Sequence, residues 1–287
     1  MAAPARERGG PVRRSCHSVL VPPSPPRTPA ALLTDALRRD AAAPLVTYYD
    51  DSSGERVELS ATTLANWVAK TANLLQEEFD VGPGSVVAVA LPVHWQTAAV
   101  LLGTWSCGAA VLDTAGEDDD RFAEADVVLA AADRLPPLEE QGLPELMGLS
   151  LHPMGLGMAG YAGPARDFAL EVRGHGDVFS PVQPVDPGGP GLVLATGELT
   201  LGGLVEAAAE LAGRLGIVAG DRVLVDERTA LEAGPVAWLL APLVAGASLV
   251  LSRAAVASGL AHRAEVERVT ATLGLTLDGV RELGRPA

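Results

Sequence analysis

The stretch Gly84-Ser-Val-Val-Ala-Val-Ala-Leu91 decides the fold, because its phrase returns as Gly220-Asp-Arg-Val-Leu-Val225 between the same kinds of neighbour. A short apolar run opened by a glycine turn is the pattern of a strand buried on both faces. Behind the first copy, Trp95 to Gly108 reads as a mostly apolar helix and Ala109-Ala-Val-Leu112 as a second strand. The unit is therefore strand, crossover helix and parallel strand. Behind the second copy, Gly234 to Ala245 and Ala247-Ser-Leu-Val-Leu251 repeat it. Leu101-Leu-Gly-Thr-Trp-Ser-Cys-Gly-Ala-Ala110 aligns with Leu239-Leu-Ala-Pro-Leu-Val-Ala-Gly-Ala-Ser248, and the two copies stand 136 to 138 residues apart. Two related units, about 60–113 and 200–251, imply an α/β protein: three-layer α/β/α with a mainly parallel sheet.

A long helix precedes each unit. Ser60 caps one from Ala61 to about Glu78 that places Leu64, Trp67, Val68, Thr71, Leu74 and Leu75 on a single face, and Thr200 to Gly216 is its counterpart. Upstream, Ala30 to Leu37 reads as a short helix, and Leu45-Val-Thr-Tyr-Tyr49 with Arg56-Val-Glu-Leu59 as a hairpin around residues 50–54. Between the units lie a strand at Ala125 to Ala130, an apolar segment at Leu146 to Leu151 and a helix from Pro164 to Arg173. Ala264 to Val269 and Thr270 to Leu275 close the chain as helix and strand.

Composition narrows the function classes. With 287 residues and 48% hydrophobic content there is enough material for a sizeable core, yet no apolar stretch reaches the roughly 18 to 20 residues that span a bilayer. Membrane insertion is not expected. The net charge is −15, and residues 1–28 hold five arginines against one glutamate, so the rest carries −19, a field that repels nucleic acid. The Pro-rich segment 1–28 lacks the apolar stretch of a secretory signal. It is read as a disordered basic arm, or as an extension from a start codon assigned too far upstream, ahead of one domain over 29–287. Cys16 and Cys107 make no disulfide framework and fit a reducing cytoplasm, and the five histidines show no metal-ligand spacing.

The unit's surroundings resemble a known family. Gly82-Pro-Gly-Ser-Val-Val-Ala-Val-Ala-Leu-Pro92, Gly220-Asp-Arg-Val-Leu-Val225 and Leu243-Val-Ala-Gly-Ala247 are similar to strand entries and a helix end in the amino-terminal domain of adenylate-forming enzymes. That superfamily includes acyl-CoA synthetases, luciferases and adenylation domains. The resemblance runs from about Pro29 to Leu275 and points to short homologues of the AMP-dependent synthetases from high-GC bacteria. It implies ATP and magnesium as cofactors for an acid-activating ligase, yet the residues that carry that chemistry are missing. The family's Thr-Ser-Gly-Thr-Thr-Gly-x-Pro-Lys phosphate loop would fall in Pro190-Gly-Leu-Val-Leu-Ala-Thr-Gly-Glu-Leu-Thr200, where only Gly197-Glu-Leu199 separates Thr196 from Thr200. Its aromatic-histidine segment would fall at Asp226 to Gly234, which has neither residue type. The magnesium-holding Thr-Glu pair, the ribose-binding Asp and the carboxy-terminal domain with its lysine would follow Ala287. Lys70, the only lysine, sits on the first long helix.

The expectation is thus a non-catalytic relative with no cofactor, binding a small molecule or a protein partner; the alternative is an AMP-forming acid ligase completed by another chain, using ATP and magnesium. Open α/β sheets bind ligands at the carboxyl ends of their strands, which nominates His94, Trp95, Asp113, Thr196, Gly197 and Asp226. His94-Trp95 can equally be a helix-start anchor, and Thr196-Gly197 a tight turn. Gly155-Leu-Gly-Met-Ala-Gly160 satisfies a dinucleotide pattern without a strand-to-helix context and reads as a loop, and Glu117-Asp-Asp-Asp120 as a solvated loop or helix start.

Overall fold

The chain makes two passes through one series of elements. The computed structural model describes residues 1, 27–113, 120–143 and 145–284. Helix α1 (Pro29–Asp40) leads into hairpin β1 (Pro44–Asp50) and β2 (Glu55–Ser60), then α2 (Ala61–Phe79), β3 (Val86–Ala90), α3 (Trp95–Ser106), β4 (Ala110–Asp113) and β5 (Val127–Ala131). A connecting region follows, with α4 (Leu135–Glu140), β6 (Leu146–Leu149), β7 (Arg166–Asp167) and α5 (Phe168–Glu171). The second pass is hairpin β8 (Pro190–Leu194) and β9 (Gly197–Thr200), α6 (Leu201–Leu215), β10 (Arg222–Asp226), α7 (Glu227–Pro235), a π-turn over Val236–Leu240, α8 (Ala241–Ala245), β11 (Ser248–Arg253), α9 (Ala257–Val266), β12 (Ala271–Thr272) and β13 (Arg281–Glu282). Residues 2–26, where the basic arm is expected, and the Glu117–Asp120 side chains lie outside the described residues.

The duplication is visible bond by bond. Ala109 N donates to Thr104 O as Ala247 N does to Pro242 O, Ala110 N to Ser85 O as Ser248 N to Asp221 O, and Asp126 N to Val86 O as Thr270 N to Arg222 O. Gly108 and Gly246 turn the chain at φ 80° and 81°, a left-handed conformation that glycine adopts at little cost. The repeat reaches beyond the units expected from sequence. Both hairpins shift register just after a proline, between Pro44 and Val46 and between Pro190 and Leu192, and a proline has no N–H to give to a ladder.

The mainly parallel pairing expected from the two units is present, divided between two sheets. One has the order β13-β12-β10-β11-β1-β2 and the other β7-β6-β5-β3-β4-β8-β9. The reason is an exchange: β1 pairs with β11 of the second pass and β8 with β4 of the first, so each hairpin completes the sheet of the opposite unit. Side-chain alternation then sets the layers. Val223 and Val225 of β10 and Leu249 and Leu251 of β11 face a central core with α1, α2, α3, α6 and α8, whereas Leu224 and Val250 face α9 through Leu260 and Ala264. In the other sheet Val87, Val127 and Leu129 face α2 and α5, and Ala88, Val128 and Ala130 face α4. The α/β/α sandwich therefore occurs twice, with the central helices between the sheets.

Several local expectations change. Gly197 to Thr200, taken as the approach to a helix, is strand β9, antiparallel to β8. The segment after β10 is helical, and the expected helix from Gly234 breaks there, since Gly234 sits at φ 71° and ψ 173° ahead of Pro235 and the π-turn. Only Phe168–Glu171 of the helix expected over 164–173 is α-helical, and α9 starts at Ala257 rather than Ala264.

Ser60 and Thr200 are equivalent caps: each hydroxyl accepts from the backbone N–H three residues on, Thr63 N at 3.1 Å and Gly203 N at 2.9 Å. Ser60→Ala and Thr200→Ala should each cost about 1 kcal/mol in urea unfolding. A near-zero cost at one site alone would break the equivalence.

Candidate functional site

Carboxyl ends of strands from both sheets converge on one cavity of about 700 Å³. That size suits a small organic molecule. From one sheet come Asp50 at the end of β1, Glu55 at the start of β2, Glu227 after β10 and Arg253 at the end of β11. The other contributes Val89, Leu91 to Val93, Leu112, Ala131 to Arg134 and Leu149 to Pro153. Thr97 and Leu101 of α3 and Trp238 of the π-turn form further wall. The broken helix brings Leu231, Gly234 and Pro235 to the same space. Single π-turns are frequently found at functional sites.

The polar groups are unevenly paired. Arg253 stands between two carboxylates, Nε 3.2 Å from Glu227 Oε1 and Nη1 3.6 Å from Asp50 Oδ2. Burial pushes the Asp50 pKa up, but hydrogen bonds from Ser52 and the Arg253 charge together bring it below the ordinary value. Glu55, although almost fully buried, has no hydrogen bond at Oε1; its nearest polar neighbour is His94 Nε2 at 3.7 Å. Burial holds the His94 pKa down against the attraction of Glu55, so the ring is neutral at pH 7. Because Nδ1 accepts from Gln96 N at 3.1 Å, the ring proton belongs on Nε2, facing Glu55. Tyr48 packs edge-on against His94 at 4.3 Å; burial first, then Asp50, raises its pKa, against the nearby Arg253 charge.

Of the residues nominated from sequence, His94, Trp95, Thr196, Gly197 and Asp226 do not form the wall of this cavity. His94 is buried as the cap of α3, and Trp95 is buried edge-on to Trp67 at 5.0 Å. Asp113 ends β4 opposite Val89 in register. Thr196 and Gly197 are exposed at the tip of the β8–β9 hairpin, and Asp226 caps α7 by accepting from Thr229 N at 2.8 Å. Their chain neighbours Val93, Leu112 and Glu227 form wall instead. Asp50, Glu55 and Arg253 were missed, though two of them are the polar residues that end apolar strands β1 and β11. The Gly155 to Gly160 segment is a loop, and its Gly157 and Ala159 line the cavity.

Two hydroxyls of the wall are tied to the backbone. Thr97 Oγ1 donates to Pro92 O at 2.6 Å, and Ser150 Oγ to Leu156 O, so both hydroxyls are engaged by backbone carbonyls rather than by a base. Among the described residues no group of three or more His, Cys, Asp or Glu could hold a metal ion, and no helix is long and apolar enough to cross a membrane.

No family model matches the chain. Solved structures share its fold. An anthranilate CoA ligase in complex with anthranoyl-AMP superposes with TM-score 0.68 at 17% identity, over 86% of this chain and 49% of that one. An acyl-CoA synthetase of Brucella canis gives 0.68 at 18%, over 86% and 47%. The N-terminal domain of FACL13 from Mycobacterium tuberculosis gives 0.66 at 14%, over 86% and 62%. The chain thus has the α/β fold of an acyl-CoA synthetase N-terminal domain and spans about half the length of the two ligases. A TIGR03089 family protein of Mycobacterium tuberculosis H37Rv is 45% identical over 259 residues, covering 87% of this chain and 99% of the relative. On that extent of likeness, the chain belongs to the TIGR03089 family.

Proposed function

We propose that this chain is a non-adenylating relative of the acyl-CoA synthetases that holds a small organic ligand in the cavity between its sheets, in a cytoplasmic setting. One observation carries the reading: the hairpin that the resemblance marks for the phosphate loop closes through a two-residue turn, Ala195-Thr196, with Leu194 paired to Gly197. Backbone N–H groups that cradle polyphosphate need a longer glycine-rich loop, and a lysine usually helps them. Here Glu198 stands exposed beside the turn, placing negative charge where triphosphate needs donors. The residues present do not fit ATP, while the cavity at the strand ends is intact.

ATP–pyrophosphate exchange with purified chain, magnesium and a broad panel of carboxylic acids tests the first half. Losing one electrostatic donor at a transition state costs about 100- to 1,000-fold in rate, and several are lost together, so exchange should not exceed the acid-free control. Acid-dependent exchange above that control overturns the reading. The competing idea, a ligase completed in trans, requires a partner to deliver every phosphate contact past Glu198.

A further inference from the structure

The network of Lys70, Asp177, His175 and Glu77 ends in satisfied partners and Cys107 in apolar burial, whereas the polar corner of the cavity holds a buried carboxylate oxygen with no hydrogen bond.

We propose that the corner formed by Asp50, Glu55 and Glu227 receives the protonated amine of a ligand whose apolar body fills the rest of the cavity; this rests on the small-ligand reading above. Charge comes first. Among the described residues the wall carries four carboxylates, Asp50, Glu55, Asp133 and Glu227, against the guanidiniums of Arg134 and Arg253. Arg253 is already shared by Asp50 and Glu227, which leaves Glu55 with no cation at all. A carboxylate removed from water needs a counter-charge or a donor, and an unpaired one is costly to keep. His94 is neutral and supplies no counter-charge, and its Nε2–H, although it faces Glu55, stands 3.7 Å from Oε1, beyond hydrogen-bond distance.

Geometry then selects the ligand class. Glu55 lies on the cavity wall, so a group bound inside can reach it, whereas His94, 3.7 Å from Oε1, and Tyr48, edge-on to His94, are not part of that wall. Leu91, Leu101, Leu112, Leu149 and Trp238 make the remaining wall apolar and partly aromatic. An aryl-alkyl amine matches both halves. A carboxylic acid of the same shape would add a fifth negative charge beside Asp50 and Glu55, and like charges across an interface are strongly unfavourable.

Isothermal titration of the full chain with three matched probes, tryptamine, tryptophol and indoleacetate, separates the possibilities. Tryptamine should bind at least tenfold tighter than tryptophol, and indoleacetate weakest. Glu55→Gln, which keeps shape and removes charge, should weaken tryptamine about 10- to 100-fold and leave tryptophol unchanged, since hydrogen bonds to charged groups are the strong ones. Its unfolding midpoint should be unchanged or higher, because an uncompensated buried charge is gone; a lower midpoint with intact tryptamine binding contradicts the proposal. Preference for indoleacetate, no tryptamine binding at millimolar concentration, or indifference to Glu55→Gln overturns it as well. A separate variant, Ala132→Trp, fills the cavity away from the corner. Loss of all probes there with acid preference retained in the wild type sinks the amine subsite alone, whereas binding unaffected by Ala132→Trp removes the cavity reading too.

Discussion

Trp105→Ala is expected to lower the unfolding free energy by about 3–5 kcal/mol, read from urea titrations followed by circular dichroism. Trp105 is fully buried on α3, and its indole Nε1 donates to Gly191 O on β8 at 2.7 Å. That single side chain joins the crossover helix of the first pass to the hairpin of the second. Its partner tolerates no side chain, because a Cβ at Gly191 would stand 2.9 Å from Leu201 N and 2.8 Å from Leu204 Cδ1. Truncation to alanine removes the aromatic packing and leaves the Gly191 carbonyl buried without its donor. Trp105→Phe keeps most of the packing and loses the hydrogen bond, so it should cost about 1–3 kcal/mol. If the two variants cost the same, the bond and not the volume dominates; if both cost under about 1 kcal/mol, the hairpin exchange does not depend on this contact.

That contact also marks the boundary of what the sequence discloses. The strand–helix–strand units were legible because apolar runs bounded by glycine leave few alternatives, and the cap Ser60 because a hydroxyl ahead of a periodic helix has one good use. Which hairpin joins which sheet was not legible, since β1 and β11 pair across some 200 residues and nothing local in Leu45 to Tyr49 names the partner. Strand β9 escaped because four residues, Gly197 to Thr200, carry too short a period to tell extended chain from a helix approach. Helix α7 escaped because Glu227 to Ala233 shows little apolar face, with Thr229 and Ala230 its buried residues. The cavity shows the same limit. Asp50, Glu55 and Arg253 meet only because the exchange places β1 and β2 beside β11. The position rule points to the carboxyl ends of the strands, but only the pairing shows which side chains share a wall.

The same pairing underlies a pH-dependent prediction at Glu267, just beyond α9. Its carboxylate accepts from Tyr49 Oη at 2.5 Å, from Arg56 Nη2 at 2.9 Å and from Arg222 Nη2 at 2.6 Å, tying β1, β2 and β10 together. The side chain is 6% exposed and that of Arg222 15%, so losing the charge strands a mostly buried guanidinium; Arg56, at 46%, can turn to water. Breaking a buried pair by removing one partner costs about 3–5 kcal/mol, and the exposure of Arg56 places Glu267→Gln near the lower end, about 3 kcal/mol at pH 7. Burial alone would raise the Glu267 pKa, but the bonds from Tyr49, Arg222 and Arg56 together hold it below the ordinary 4.5. A carboxylate whose folded pKa lies below its unfolded value stabilises the fold fully above the unfolded value and loses that contribution as pH falls through the folded one. Wild type and Glu267→Gln should therefore differ most near neutral pH and converge well below pH 4.5, where both carry a neutral group at this position. Urea midpoints measured at pH 7 and in that acid range decide it: a gap that persists undiminished in acid means that shape, rather than charge, holds these strands together.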